Sequence, residues 1–331
     1  MTDTSSDAET SFQQDVEALS PSTLNLAIKS HYTFVEENTM YLCKINLINL
    51  FVISLFLTVW LLPAQAVDIT VGLLSADKTL GEVANAAYDW AAQDFKTTML
   101  IVDKTGNFTT NGTKQHLDQF AVLWLFYSET EKLPDAFLSD TTMKKVIDYL
   151  EAGGTLFLSA LGLHYVADLG IEENGDPRVF QPLGKDPHKI GVIPTAKGKK
   201  HPVFKGFDTS GPINLTSKQQ AGFTSDFHNF GGKPPGGVIL ATKTRGGGAG
   251  AGERPMIEYE VNKGKILTLG HHNGVYTDKK SKEGDNLRKL TKNVLVYLAE
   301  NSEFLAVKSA NKLTTVWAKL KKWVSVNPIL K

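Results

Sequence analysis

One unbroken apolar run, residues 120–127 (FAVLWLFY), constrains this chain more than any other feature. A strand with one wet face alternates polar and apolar residues, whereas a run without alternation needs cover on both faces. Helical spacing on either side supplies that cover. Residues 80–95 put Val83, Ala87, Trp90 and Ala91 on one face. A second helix, capped by Asp140, puts Met143, Ile147 and Leu150 on one side and ends at Gly153-Gly154. Short strands read at 67–74, 98–102 and 155–160. Strands alternating with helices predict an α/β fold, a mostly parallel central sheet with helices on both faces.

Beyond Leu163 the texture changes. Residues 171–236 are rich in Gly, Pro and polar residues. Strands read again at 238–242, 256–261 and 266–269, with a turn at Asn262-Lys263-Gly264-Lys265. Asp285 reads as the cap of a last helix whose core face is Leu287, Leu290, Val294 and Leu298. Residues 306–331 read as a separate basic amphipathic helix. Leu313, Val316, Trp317, Leu320, Trp323 and Val324 recur at helical spacing among lysines. Such a helix either docks on the domain or contacts a membrane surface peripherally through 307–331, where tryptophan favours the interface.

The start of the chain carries an address. Residues 47–62 are apolar over 16 positions, no charge falls between Lys44 and Asp68, and Pro63-Ala64-Gln65-Ala66 follows. A basic residue, an apolar core and a small-x-small ending make an export signal. The core is short for a bilayer span of about 20 residues. Cleavage after Ala66, and a periplasmic or extracellular protein, is the expectation; the alternative is a membrane anchor at 45–62. Residues 1–39 are polar and acidic, and Met40 reads as the true start. The division is therefore 1–39, a polar extension; 40–66, a signal or anchor; 67–305, the domain; and 306–331, the basic helix.

Composition narrows the function classes. Of 35 basic and 35 acidic residues, 1–66 hold two and seven, so the exported part carries 33 against 28. The six lysines of 307–331 account for that excess, and the nearly neutral body argues against nucleic acid. The one cysteine, Cys43, precedes the cut. The exported protein then has neither a thiol nor a disulfide.

In open α/β sheets the crevice lies at the carboxyl ends of the strands. Three segments end strands in this way: Tyr127-Ser128-Glu129, Ser159 to His164, and Gly270 to Gly274. The adjacent His271-His272 is the strongest single signal, with His271 as candidate general base and Asn273-Gly274 as a bend. His201, on a loop held by Pro202, and the nearby Asp208 are candidate ligand contacts, as are His272, Asn273, Ser159 and His164. Asp226 and His228, two apart, form a weaker pair. No HExxH or H-x-H spacing points to a metal, and no cofactor is expected. Arg245 to Gly252 is glycine-rich, but it joins two strands. A phosphate loop must open a helix, so this stretch reads as a hairpin loop or a lid.

Several segments also resemble one known group. Ala152-Gly153-Gly154-Thr155-Leu156-Phe157-Leu158-Ser159, His201-Pro202-Val203-Phe204-Lys205-Gly206-Phe207, and Gly264-Lys265-Ile266-Leu267-Thr268-Leu269-Gly270-His271 are similar to motifs of the ThuA-like branch of the class I glutamine amidotransferase-like superfamily. Residues 286–298 fit its closing helix. Residues 165–171 have a counterpart in a group of secreted bacterial domains of that fold. The resemblance spans roughly 70–305. It implies a flavodoxin-like three-layer α/β/α sandwich and an association with sugar utilisation. It does not imply glutaminase chemistry, which needs a cysteine after the strand at 155, where this chain has Leu161-Gly162. His201 and His271 sit at family-motif positions, while His164 is slightly displaced.

Two function classes follow. One is an exported protein that acts on or binds a carbohydrate or related small polar metabolite. The other is a non-catalytic binding or scaffolding domain at the cell envelope. A metal-assisted hydrolase built on the histidines is a more distant third.

Overall fold

The computed structural model describes residues 68–305, except 129–131, 181–190, 216–223, 246–247, 250–252, 271–275 and 277–279. The chain divides into two units, Met1–Ala66 and Val67–Lys331, and the described residues belong to the second. The segments read above as an export signal or anchor and as a basic helix lie outside them. Among the described residues no helix is long and apolar enough to cross a membrane.

The strands in chain order are β1 (Thr70–Ser75), β2 (Lys96–Val102), β3 (Phe108–Thr110), β4 (Thr113–Lys114), β5 (Val122–Tyr127), β6 (Thr155–Ala160), β7 (Asp176–Phe180), β8 (Gly191–Pro194), β9 (Ile213–Asn214), β10 (Thr224–His228), β11 (Val238–Arg245), β12 (Gly248–Ala249), β13 (Met256–Val261) and β14 (Gly264–Leu269). The helices are α1 (Glu82–Asp94), α2 (Asp135–Leu138), α3 (Asp140–Glu151), α4 (Tyr165–Asp168) and α5 (Lys282–Glu300).

The main sheet runs β4-β3-β2-β1-β5-β6-β14-β13-β11-β8-β9, and β10 pairs with β7 in a separate ribbon. Its centre, β2-β1-β5-β6-β14, is parallel throughout. From β14 outward every pairing is antiparallel. Connection length decides this change. A parallel crossover takes a dozen or more residues, whereas only Asn262-Lys263 separates β13 from β14.

Alternate residues of the central strands feed two cores. Val122, Trp124, Phe126 and Phe157 pack with Ala84, Ala87 and Ala91 of α1 and with Leu287, Leu290, Val294 and Leu298 of α5. Leu123, Leu125, Leu156 and Leu158 pack with Val146, Tyr149 and Leu150 of α3. The unbroken run at 120–127 is thus covered on both sides, as its composition requires.

Two helix starts differ from expectation. Ser139, not Asp140, caps α3 by accepting from Thr142 N at 3.3 Å. The buried stripe of α3 is Thr142, Val146, Tyr149 and Leu150, with Met143 and Ile147 only partly covered. Ser281 caps α5 through Gly284 N at 3.0 Å, and Asp285 lies inside the first turn. A hydroxyl just ahead of an acidic first turn satisfies the free amides, while the acid meets the helix dipole from within. At the far end of α3, Gly153 at φ 97° takes the left-handed turn that stops the helix.

Candidate functional site

The central strands lie in chain order 2-1-3-4-5, so the connections diverge between β1 and β5. That switch point opens a crevice at the carboxyl ends. The crevice is shallow, with about 30 Å³ of room below its mouth, so a ligand would lie across the rim; Ser75, Asp77, Thr79, Gly81, Tyr127 and Ser128 are among its lining residues. Ser75 Oγ donates to Asp77 O at 2.8 Å and accepts from Asp77 N at 3.2 Å, which holds the turn after β1 in shape. The carboxylate of exposed Asp77 and the side chains of Thr79, Tyr127 and Ser128 stand around the opening.

The next strand end carries an unusual corner. Ala160, fully buried, closes β6 at φ 55° and ψ −129° and leads directly into a 3-10 turn, Leu161–His164, and then α4. A residue with a Cβ at positive φ costs about 1–3 kcal/mol and persists where its surroundings over-determine it. Gly162 is one reason the corner is tight. A Cβ there would lie 2.6 Å from Leu125 O. A sharp turn from strand to helix of this kind presents a nucleophile in many hydrolases. Here it presents a methyl group. The sequence reading placed this position at Leu161-Gly162, but the corner itself falls on Ala160.

Ser159 precedes the corner. It is buried, and its Oγ accepts from Trp124 Nε1 at 2.7 Å. Its hydroxyl thus anchors the indole within the core that α1 and α5 cover. His164 ends the 3-10 turn and is partly buried. The β7–β10 ribbon packs against this same turn.

Beside this end of the sheet lies a group of buried charges. Lys243 Nζ is 3.8 Å from Asp226 Oδ2 and 3.9 Å from Glu253 Oε2, and the three side chains are between 0% and 6% exposed. Backbone bonds fix their level. Lys243 N donates to Glu253 O, Phe227 and Arg254 exchange two bonds, and Gly270 N, at the end of β14, donates to Pro255 O. A third buried acid, Glu172, accepts from Gly236 N at 2.9 Å, Asn174 N at 3.0 Å and Tyr259 Oη at 3.0 Å. The sequence reading noted Asp226 but missed Lys243 and Glu253. A charged residue inside the strand sequence VILATKTR was the available signal. His228, its other member of that pair, is partly exposed, and its ring bonds Asp176 O at 3.0 Å.

His201 belongs to another neighbourhood. Its Nδ1 accepts from Val203 N at 3.4 Å and so caps a short turn. Its Nε2 lies 3.5 Å from Glu258 Oε2, and its ring meets Tyr297 edge-on at 4.5 Å. Tyr297 Oη donates to Glu258 Oε1 at 2.5 Å, and Lys265 Nζ is 3.7 Å from the same oxygen. Burial pushes the Glu258 carboxyl up, but His201, Tyr297 and Lys265 together outweigh it and hold it below its ordinary value. Burial, with Glu258 beside it, raises the Tyr297 phenol. Lys265 is the second residue of β14 and Tyr297 lies in the last turn of α5. This cluster therefore sits toward the amino end of β14.

From His201 the chain runs back along α5. Asn293 Nδ2 donates to Val203 O and Lys205 O, and Asn286 Nδ2 donates to Asn214 O. Asp208 lies exposed on this stretch, where Ser210 N donates to its Oδ1 at 2.9 Å. Bonds from Ser210 hold that carboxyl below its usual range. The structure thus brings Ser159 and His164 to the carboxyl end and sets His201 and Asp208 along α5. His271, His272 and Asn273 lie outside the described residues. Among the described residues no group of three or more His, Cys, Asp or Glu is placed to hold a metal ion.

No protein-family model matches the chain, and no curated protein matches it at a significant level. Solved structures overlap it in part. PurLQS from Thermotoga maritima is 13% identical, with a TM-score of 0.46 over 70% of this chain and 99% of that one. A putative ThuA-like protein from Parabacteroides merdae is 16% identical, with a TM-score of 0.42 over 68% of this chain and 88% of that one. The beta-galactosidase from Rahnella sp. R3 is 12% identical, with a TM-score of 0.39 over 69% of this chain and 31% of the enzyme. At these identities and scores nothing about substrate or chemistry follows from the overlaps.

Proposed function

We propose that this chain is an exported protein with a flavodoxin-like three-layer α/β/α fold, of the ThuA-like branch, that binds or acts on a carbohydrate or related small polar metabolite. The observation that carries the reading is the switch-point crevice, whose rim holds the Asp77 carboxylate and the hydroxyls of Thr79, Tyr127 and Ser128. Groups that both donate and accept suit the hydroxyls of a polyol, and an apolar ligand would leave them desolvated and unpaired. Ala160 at the corner rules its side chain out of nucleophilic chemistry, and glutaminase activity is not expected. That same methyl group favours the second reading, a binding domain at the envelope without catalysis. Residues 307–331 would then hold it against a membrane surface.

A thermal-shift series on the full chain tests the reading. A sugar or sugar acid at 100 times its Kd should add about 2.7 kcal/mol to stability. Asp77→Asn should remove that shift. No shift with any sugar, from a folded protein, would leave only the scaffolding reading. Fractionation of cells that express the chain tests export: the protein should appear outside the inner membrane and shortened by residues 1–66.

A further inference from the structure

We propose that a second carbohydrate site lies on the helical face, in the groove between α1 and α5, and that it takes a neutral sugar of one or two rings. The inference rests on the carbohydrate reading above but places a ligand elsewhere on the molecule. The groove measures about 540 Å³ and is lined by Ala86, Asp89, Trp90, Gln93, Tyr276, Asp285 and Arg288. That volume falls within the range of about 300–1,000 Å³ typical of small-molecule sites.

Its apolar element is an aromatic floor held rigidly from beneath. Trp90 is partly buried and lies 5.5 Å from the Tyr276 ring at a tilt of 41°. It meets Trp124 edge-on at 6.5 Å and Phe95 at 6.5 Å. Tyr276 Oη shares a bond of 2.7 Å with Thr291 Oγ1, so the phenol is fixed and only its ring serves the groove. An indole locked by three aromatic neighbours loses little freedom when a ligand stacks on it.

The polar elements flank that floor. Asp89 and Gln93 stand one helical turn apart on α1, either side of Trp90. On α5, Asp285 Oδ1 accepts from an Arg288 guanidinium nitrogen at 2.6 Å, and the arginine side chain is only 15% exposed. Farther along, Lys292 Nζ meets Asp94 Oδ2 at 3.0 Å and ties the two helices together.

This combination selects a ligand class. A pyranose has one C–H-rich face, which suits the indole, and a rim of hydroxyls that donate and accept at once. Carboxylates take the donated protons, and the amide and guanidinium supply donors. Two carboxylates against one guanidinium leave the groove with one net negative charge, which disfavours phosphates and sugar acids.

The test titrates the full chain with cellobiose and maltose as neutral probes and gluconate as the acidic one. Tryptophan emission and saturation transfer to the sugar protons are the readouts. A neutral disaccharide should bind, gluconate should bind at least about tenfold more weakly, and Trp90→Ala should weaken the disaccharide by at least about tenfold. If Trp90→Ala does not fold, Gln93→Ala and Asp89→Asn at exposed positions decide, each weakening binding about threefold. Asp77→Asn and Tyr127→Phe should weaken sugar at the crevice only, and the change in tryptophan emission, which Trp90 supplies, should persist. Disaccharide binding that survives the groove variants, or that only the crevice variants abolish, overturns this inference and leaves the crevice reading standing. Stronger binding of gluconate at the groove also overturns it. No binding by any of the three probes overturns it together with the crevice reading for these sugars.

Discussion

The parallel centre of the sheet and its antiparallel flank solve burial in opposite ways. In the centre, β1, β5 and β6 bury little but hydrocarbon, and their few polar side chains are hydroxyls. In the flank, Lys243, Asp226, Glu253 and Glu172 are buried, and Glu258 is nearly so. Apolar burial is non-directional and forgives exchange of one shape for a similar one. Buried charge forgives little, because removing one partner strands the other. The centre is thus held by quantity of contact and the flank by identity of contact.

The largest test of this contrast is Trp124→Ala in the centre. It opens a cavity under α1 and removes the donor to Ser159, and should cost about 5 kcal/mol in chemical denaturation. Trp124→Phe should recover more than half of that. Next is Lys243→Met in the flank, a near match in size that takes the ammonium away from the buried Asp226 and Glu253. It should cost about 3 kcal/mol. A cost below about 1 kcal/mol would dissolve the contrast, since shape alone would then suffice there too. Ala160→Gly works in the opposite direction. Relief at positive φ outweighs the entropy of glycine, so stability should rise by about 1 kcal/mol, seen as a melting point about 2–4 °C higher.

The smallest expected effect is one of pH. The Glu258 carboxyl lies below its ordinary 4.5 when folded. Its contribution is complete above about 4.5 and is lost as pH falls from there through the folded value. Glu258→Gln should therefore flatten the fall in stability below pH 4.5 and leave the slope near neutrality unchanged. An unaltered acid limb would mean that the His201–Glu258–Tyr297 cluster is not a titrating element.

The same contrast explains how much was legible. Residues 120–127 and 155–160 were readable as covered strands because the signal is the run itself. The core face of α5 was readable because Leu287, Leu290, Val294 and Leu298 repeat with the helix. In the stripe of α3, Leu150 is buried as read, but Thr142, Val146 and Tyr149 take the places read for Met143 and Ile147. Tyr149 bonds the backbone of Phe120, Ala121 and Thr155, and nothing local announces those partners. The ribbon of β7 and β10 went unread because its strands lie far apart in sequence and are short. For the site, the strand ends at Ser128 and Ser159 were found from the pattern of elements. The partner of His201 was not, since Glu258 stands on a distant strand.

The sequence by itself determined the parallel centre, the helices that cover it and the lack of any cysteine beyond residue 43, because periodicity and composition are local properties. Only the tertiary structure decided that the strained corner falls on Ala160, that Lys243 meets Asp226 and Glu253, and that Trp90 floors a groove. Those facts depend on backbone torsions and on contacts between distant segments, which the surrounding packing selects and which no local pattern encodes.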